Sequence, residues 1–146
     1  MSQVEISRDI AAPVDKVFAV VGDADRFSTV VPEIAKVEFL SEQRRGVGAR
    51  FRETRVVAGR EVVTELETTE YVENQRVRLV AESHGVTWDS LFTLEPSDGQ
   101  ATRLTLTMNT RSQTIAAKLI APLVMGFVKT ALTNDMDAVK AFCEGP

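Results

Sequence analysis

The sequence is poor in the side chains that reactive proteins concentrate. Its 146 residues include one histidine, one cysteine, one tryptophan and one tyrosine. A single cysteine, Cys143, excludes a disulfide within the chain and fits a reducing compartment, so a cytoplasmic location is expected. One histidine and one cysteine leave no ligand cluster for zinc, and no metal or other cofactor is expected. There is no Gly-rich phosphate loop ending in Lys-Ser/Thr and no Gly-x-Ser-x-Gly elbow. A catalytic triad would have to use His84, which stands beside Gly85 at an expected turn, where an exposed histidine needs no further role. The first residues, MSQVEISRD, lack a basic start followed by an apolar run, so no signal peptide is expected. The most apolar stretch, Ile115 to Val128, is interrupted by Lys118, Pro122 and Gly126, and stable membrane insertion is not expected from it. Seventeen basic residues against 21 acidic ones give a net charge of −4. That balance argues against a nucleic-acid partner, since Arg44-Arg45 at a turn is the nearest approach to a basic patch.

What is present is the composition of a globular chain, 44% hydrophobic and 26% charged. One domain over residues 1–146 is expected, long enough to bury about two-thirds of its unfolded surface without a staple. Val4, Ile6 and Ile10 alternate with Gln3, Glu5 and Ser7 as a half-buried strand. Pro13 suits the first turn of a helix, and Val14, Val17, Phe18 and Val21 follow at helical spacing. Gly22-Asp23 ends that helix, and a second short one is expected from Ala24 to Val31, stopped by Pro32. From Ile34 the period changes to two. Strands are expected at Ile34–Phe39, Ala49–Val57, Glu61–Val72, Gln75–Ser83, Val86–Leu94 and Thr102–Thr110, with a turn at Pro96-Ser97-Asp98-Gly99. From Ser112 the helical period returns, with Ser112 or Thr114 as cap, and runs to about Phe142 with a kink expected at Pro122. The order predicts an α+β fold: about seven antiparallel strands curved around a long C-terminal helix, with space left between them.

The strand faces suggest where polar chemistry lies. Phe51, Glu53, Arg55 and Val57 share a face that is assigned inward because it holds the aromatic ring. Glu53 and Arg55 must then pair or meet a polar ligand group, since a lone buried charge is costly. Val62, Thr64, Leu66 and Thr68 also face inward, leaving Glu65 and Glu67 outward, where Arg76 and Arg78 are expected to pair with them. Val86, Trp88, Ser90 and Phe92 share an inner face with Leu79 and Ala81, and Leu104, Leu106 and Met108 continue it. On the last helix Val124, Val128, Ala131, Leu132, Ala138, Val139 and Phe142 make an apolar face, and Leu123 and Phe127 in its apolar stretch are counted with the cavity wall. Asp135 projects from the middle of that face and needs a partner, for which Arg55 and Arg8 are candidates. Cys143 is expected to pack as a small apolar residue.

The run Ile6-Ser7-Arg8-Asp9-Ile10-Ala11-Ala12-Pro13, then Val17-Phe18, Asp23, Val31-Pro32-Glu33-Ile34, Val37-Glu38 and the Gly48–Arg52 segment resembles the START-like, or SRPBCC, superfamily. The polyketide cyclase/dehydrase and coenzyme Q-binding branches are the most similar. The resemblance covers essentially the whole chain and implies a helix-grip fold with a deep cavity for lipids, sterols, quinones or polyketides. Its motifs are structural rather than catalytic, so they speak to fold more than to activity. Many relatives carry tryptophans after Asp23. Phe27 and Ser28 stand there in this chain, so its cavity mouth is expected to differ.

Three functions follow as alternatives. The first is binding or transport of a hydrophobic small molecule, with Glu53, Arg55, Thr64, Ser90 and Trp88 orienting its polar end. The second is an aromatase/cyclase or dehydratase, with Glu53 or Asp135 as acid–base group and Arg55 as oxyanion partner. The third is a protein-interaction module, which an apolar patch on the outer sheet face would favour. The chain is expected to be a monomer or homodimer.

Overall fold

The computed structural model describes residues 2–145. Its elements are β1 (Ser2–Ile10), α1 (Val14–Val21), α2 (Ala24–Val30), β2 (Ile34–Phe39), β3 (Arg50–Val57), β4 (Arg60–Val72), β5 (Arg76–Ser83), β6 (Val86–Ser97), β7 (Ala101–Ser112) and α3 (Ile115–Glu144). The strands form one curved antiparallel sheet in the order β1-β7-β6-β5-β4-β3-β2. The first strand thus pairs with the last, and α1 and α2 carry the chain from one sheet edge to the other.

Local chemistry explains most boundaries. Asp23 caps α2 by accepting from the backbone N–H groups of Asp25 and Arg26, and Thr114, not Ser112, caps α3 by accepting from Ala117. Two-residue hairpins join β3 to β4 at Ala58-Gly59 and β5 to β6 at His84-Gly85, with all four residues at positive φ. Two positive φ angles in a row match the right-handed twist of the flanking strands. β6 runs through Pro96 to Ser97, so the following turn is shorter than expected. Pro96 is tolerated because β5 has already ended and its only strand partner is Thr102 of β7. α3 continues unbroken through Pro122.

Two bulges shift the side-chain alternation, one between Ile34 and Lys36 and one between Thr68 and Glu70. One expected pairing does not form, because the β4–β5 register sets Arg78 opposite Glu70 and Arg76 opposite Val72, with Glu67 opposite Val80. Arg76 and Arg78 do not meet Glu65 and Glu67. Both contact Glu70 on the outer face, with Arg78 also 3.0 Å from Asp89, while Glu65 pairs with Arg52 at 3.1 Å. The extra residue, Thr69, puts Glu70 on the same outer face as Glu65 and Glu67 despite the odd spacing.

The molecule is solid at one end and hollow at the other. The solid end packs β1, β6, β7 and α1 against the C-terminal half of α3. Ile10, Val17, Leu104, Met136 and Val139 are all fully buried there. Cys143 joins this core. Polar ties fasten the helix in place. Arg8 donates to Asp137 at 2.7 Å, Lys140 to the Asp9 carbonyl at 2.6 Å, and the Ala11 N–H to Glu144 at 2.9 Å. Phe142, expected in the apolar face, is instead exposed beneath the guanidinium of Arg26.

Candidate functional site

The hollow end is a cavity of about 620 Å³ between the concave sheet face and the N-terminal two-thirds of α3. Strand alternation builds its wall. Phe51, Glu53, Arg55 and Val57 come from β3, Val62, Thr64, Leu66 and Thr68 from β4, Leu79 and Ala81 from β5, Trp88, Ser90 and Phe92 from β6, and Leu106, Met108 and Thr110 from β7. Of the residues expected at the site, Phe51, Glu53, Arg55, Thr64, Leu66, Trp88, Ser90, Met108 and Asp135 line this cavity.

Leu123 and Phe127 do not. They are 74% and 77% exposed and lie on the opposite side of α3. Ala121, Val124, Met125 and Val128 take the inward positions of those turns. At about 100° per residue, Leu123 and Phe127 belong to a row with Leu119 that faces away. The helix is apolar all round near Pro122, so periodicity there could not choose a face.

The polar end of the cavity is organised by Arg55. Its Nε donates to Glu53 at 2.8 Å. Its two terminal nitrogens grip Asp135 at 3.0 and 2.7 Å, and Nη1 also reaches Glu33 at 3.3 Å. Arg8, the other candidate partner for Asp135, is engaged by Asp137. Glu33 was not foreseen as a site residue. It precedes β2 and is held by the Val56 N–H donating to its carbonyl at 2.9 Å.

Three carboxylates therefore surround one guanidinium. Burial opposes the charge on Arg55, but the hydrogen bond to Asp135 and the field of Glu53 outweigh it, and the arginine stays cationic. Burial pushes the Asp135 carboxyl up from its ordinary value. Arg55 pulls it down and Glu33 adds to the upward push, and the net direction is up. Every nitrogen of Arg55 already donates to a protein carboxylate, so the group that approaches this pole meets mainly acceptors. Thr64, Thr68 and Ser90 add hydroxyls to an otherwise apolar wall. Among the described residues no cluster of His, Cys, Asp and Glu is arranged to hold a metal ion. His84 lies at the cavity's edge, bonded through Nδ1 to the Ser83 hydroxyl at 2.7 Å.

The mouth is marked by residues that line the cavity and are also exposed. Val57 and Val62 stand at the β3–β4 hairpin, and Ile120 and Val124 on α3. Arg44 and Arg45 line another part of the opening, where they pair with Asp25 and Asp23.

A seven-stranded antiparallel sheet curved around a long C-terminal helix is the helix-grip fold, as in START-like proteins. The chain belongs to the polyketide cyclase/dehydrase and lipid transport family, which it matches over residues 1–144. Solved structures agree on the fold. The ZhuI aromatase/cyclase from Streptomyces sp. R1128 superposes with a TM-score of 0.82 at 20% identity, over 98% of this chain and 93% of that one. A START superfamily protein from Mycobacterium smegmatis gives 0.80 at 16% identity over 97% of both chains. The di-domain aromatase/cyclase StfQ of the steffimycin pathway gives 0.81 at 14% identity, over 97% of this chain and 50% of that one. No curated protein matches the sequence.

Proposed function

We propose that this protein binds a hydrophobic small molecule whose apolar body fills the cavity and whose polar end donates hydrogen bonds to the carboxylates around Arg55. The supporting observation is the combination of a largely apolar wall with a half-buried pole at which three carboxylates occupy one guanidinium. The volume lies within the range of small-molecule sites, roughly 300–1,000 Å³. Apolar burial supplies affinity at about 25 cal/mol per Å², less the cost of ordering the ligand. The pole supplies orientation. A ligand carboxylate or phosphate would meet like charge there, whereas a hydroxyl, phenol or amine finds acceptors. The family's description, which joins cyclisation, dehydration and lipid transport, is compatible with such a ligand.

One observation favours a second reading, an aromatase/cyclase or dehydratase. Asp135 sits in the cavity with its carboxyl pushed up by burial, hydrogen-bonded to a fixed cation. Such a group can hold a proton and return it to a substrate oxygen. Replacing Asp135 with asparagine separates the readings: an enzyme loses turnover of a polyketide-like chain, whereas a carrier keeps its ligand.

Native mass spectrometry of the purified protein tests the main proposal. A co-purifying small molecule released on denaturation is expected. An empty protein that also binds no member of a panel of apolar alcohols, phenols and quinones would defeat it.

A further inference from the structure

The N-terminal half of α3 is apolar on the side that nothing covers. Ile115, Leu119, Leu123 and Phe127, each four residues after the last, are 78%, 74%, 74% and 77% exposed. Spacing by four places them in one row along the helix. The same outward side turns polar in the C-terminal half, where Thr130, Thr133, Asn134 and Asp137 occupy it. The apolar row is thus a local feature and not a property of the whole helix.

Charge is segregated in the same place. Residues 111–134 hold Arg111, Lys118 and Lys129 and none of the chain's 21 acidic residues. On the helical wheel Lys118 and Lys129 lie along one edge of the row. Ile120 and Val124, which form part of the cavity mouth, lie along the other. An apolar row edged by lysines, on a chain of net charge −4, is the pattern of a helix that rests in the plane of an anionic lipid surface.

We propose that the N-terminal half of α3 docks on the surface of a lipid bilayer bearing anionic headgroups, with the cavity mouth turned toward the lipid. Leu119, Leu123 and Phe127 enter the boundary between headgroups and acyl chains, and Lys118 and Lys129 pair with the headgroups. Ile120, Val124, Val57 and Val62 then border the bilayer, so an apolar ligand passes between lipid and cavity without crossing water. A second copy of the chain fits the row less well. Antiparallel pairing would set Lys118 of one helix near Lys129 of the other, with no carboxylate on the segment to compensate. Crossing the membrane fits less well too. By length and composition α3 is apolar enough to span, with a mean hydropathy of 1.7 in its most apolar 18-residue window, 11% of it buried. Insertion of the whole helix would draw the ion-paired Asp135 and the core residues Met136 and Val139 out of the fold.

The attachment of the segment suits the role. Beyond it, the C-terminal half of α3 is tied to β1 and the residue that follows it. The start of the segment is held just before Thr114, by the Gln113 N–H donating to the Gly85 carbonyl at 2.6 Å and by Gln113 Nε2 donating to Thr87 at 2.7 Å. Between these ends, only Ala117 is buried before Leu132.

Docking is independent of what the cavity holds, and the test keeps the two apart. The full chain is sedimented with phosphatidylcholine vesicles, with and without phosphatidylglycerol. Wild type should bind the anionic vesicles, and less so as salt rises. The L119S/L123S/F127S variant should lose about tenfold per side chain, with its thermal midpoint unchanged because all three are exposed. The K118Q/K129Q variant should lose only the phosphatidylglycerol-dependent part. L66W, which fills the cavity and leaves the outer row intact, should still bind. Absence of wild-type binding to anionic vesicles, or undiminished binding by the triple serine variant, overturns the proposal. So does a wild-type dimer by light scattering that the triple variant converts to monomer.

Discussion

Replacing Arg55 with methionine should damage the folded state more than replacing any carboxylate around it. The arginine side chain is 18% exposed, and its partners Asp135, Glu53 and Glu33 are 5%, 15% and 30% exposed. Methionine fills much of the space but leaves Asp135 and Glu53 buried without a counter-charge. Breaking a buried pair in this way costs about 3–5 kcal/mol. Glu33 adds little, because water reaches it. Asp135→Asn is milder. Arg55 keeps Glu53 and Glu33, and the loss of the bidentate contact is offset by relief of a burial that already disfavours the ionised acid, for a net loss of about 1–2 kcal/mol. Urea unfolding at pH 7, with the slope checked for constancy, measures both. The pH dependence adds a signed test. An acid whose folded pKa is raised binds protons more tightly when folded, so its contribution is fully present below the unfolded pKa and is lost as pH rises through the folded one. Asp135 is shifted upward, and removing Arg55 takes away the influence that held it down. The gap between wild type and Arg55→Met should therefore narrow as pH falls through the carboxylate range. An Asp135→Asn variant as unstable as Arg55→Met, or a gap that widens in acid, would refute the picture of one cation compensating three carboxylates.

Other predictions concern packing and access. Leu104 is fully buried and Leu123 is exposed; Leu104→Ala should cost about 3 kcal/mol and Leu123→Ala less than about 0.5, read from the same urea curves. The Cys143 thiol is 1% exposed, and burial raises its pKa. It should react with a disulfide reagent only as fast as the protein opens, and immediate reaction in native buffer would contradict its place in the core. Ala58 holds φ 52° in the β3–β4 hairpin. Ala58→Asn should raise stability by up to about 1 kcal/mol, since asparagine accepts that conformation more readily, and a lowered melting temperature would count against the turn type.

The fold was readable because the chain changes period cleanly, from two in the strands to 3.6 in the helices, with Ala58-Gly59 and His84-Gly85 as punctuation. Asp135 could be found because it stood on an otherwise apolar helix face, and Glu53 and Arg55 because they share a strand face with Phe51; burial obliges such groups to find partners. Three features resisted. The β4–β5 register set Glu70 rather than Glu65 or Glu67 beside Arg78, and the bulge at Thr69 turned Glu70 outward; a strand's alternation carries no sign of either. Leu123 and Phe127 read as cavity residues from sequence because the helix offers apolar residues on every side there, so the pattern holds no direction. Glu33 joined the cluster from outside the strands, by way of a loop whose position depends on the backbone bond to Val56. It stood within the Val-Pro-Glu-Ile run that carried the family resemblance, but nothing local marked it as part of a site.

On the proposed reading, the cavity takes an apolar body with a hydrogen-bond-donating end. Trp88 is the chain's single tryptophan and lines the cavity, so its fluorescence reports occupancy directly. The decisive measurement is a titration of that signal with three ligands sharing one apolar body and ending in a hydroxyl, an amine or a carboxylate. The alcohol and the amine should saturate the change, with the carboxylate at least about tenfold weaker, a difference of about 1.4 kcal/mol. Tightest binding by the carboxylate, or no response to any of the three, would rule out a hydrogen-bond-donating ligand at this pole.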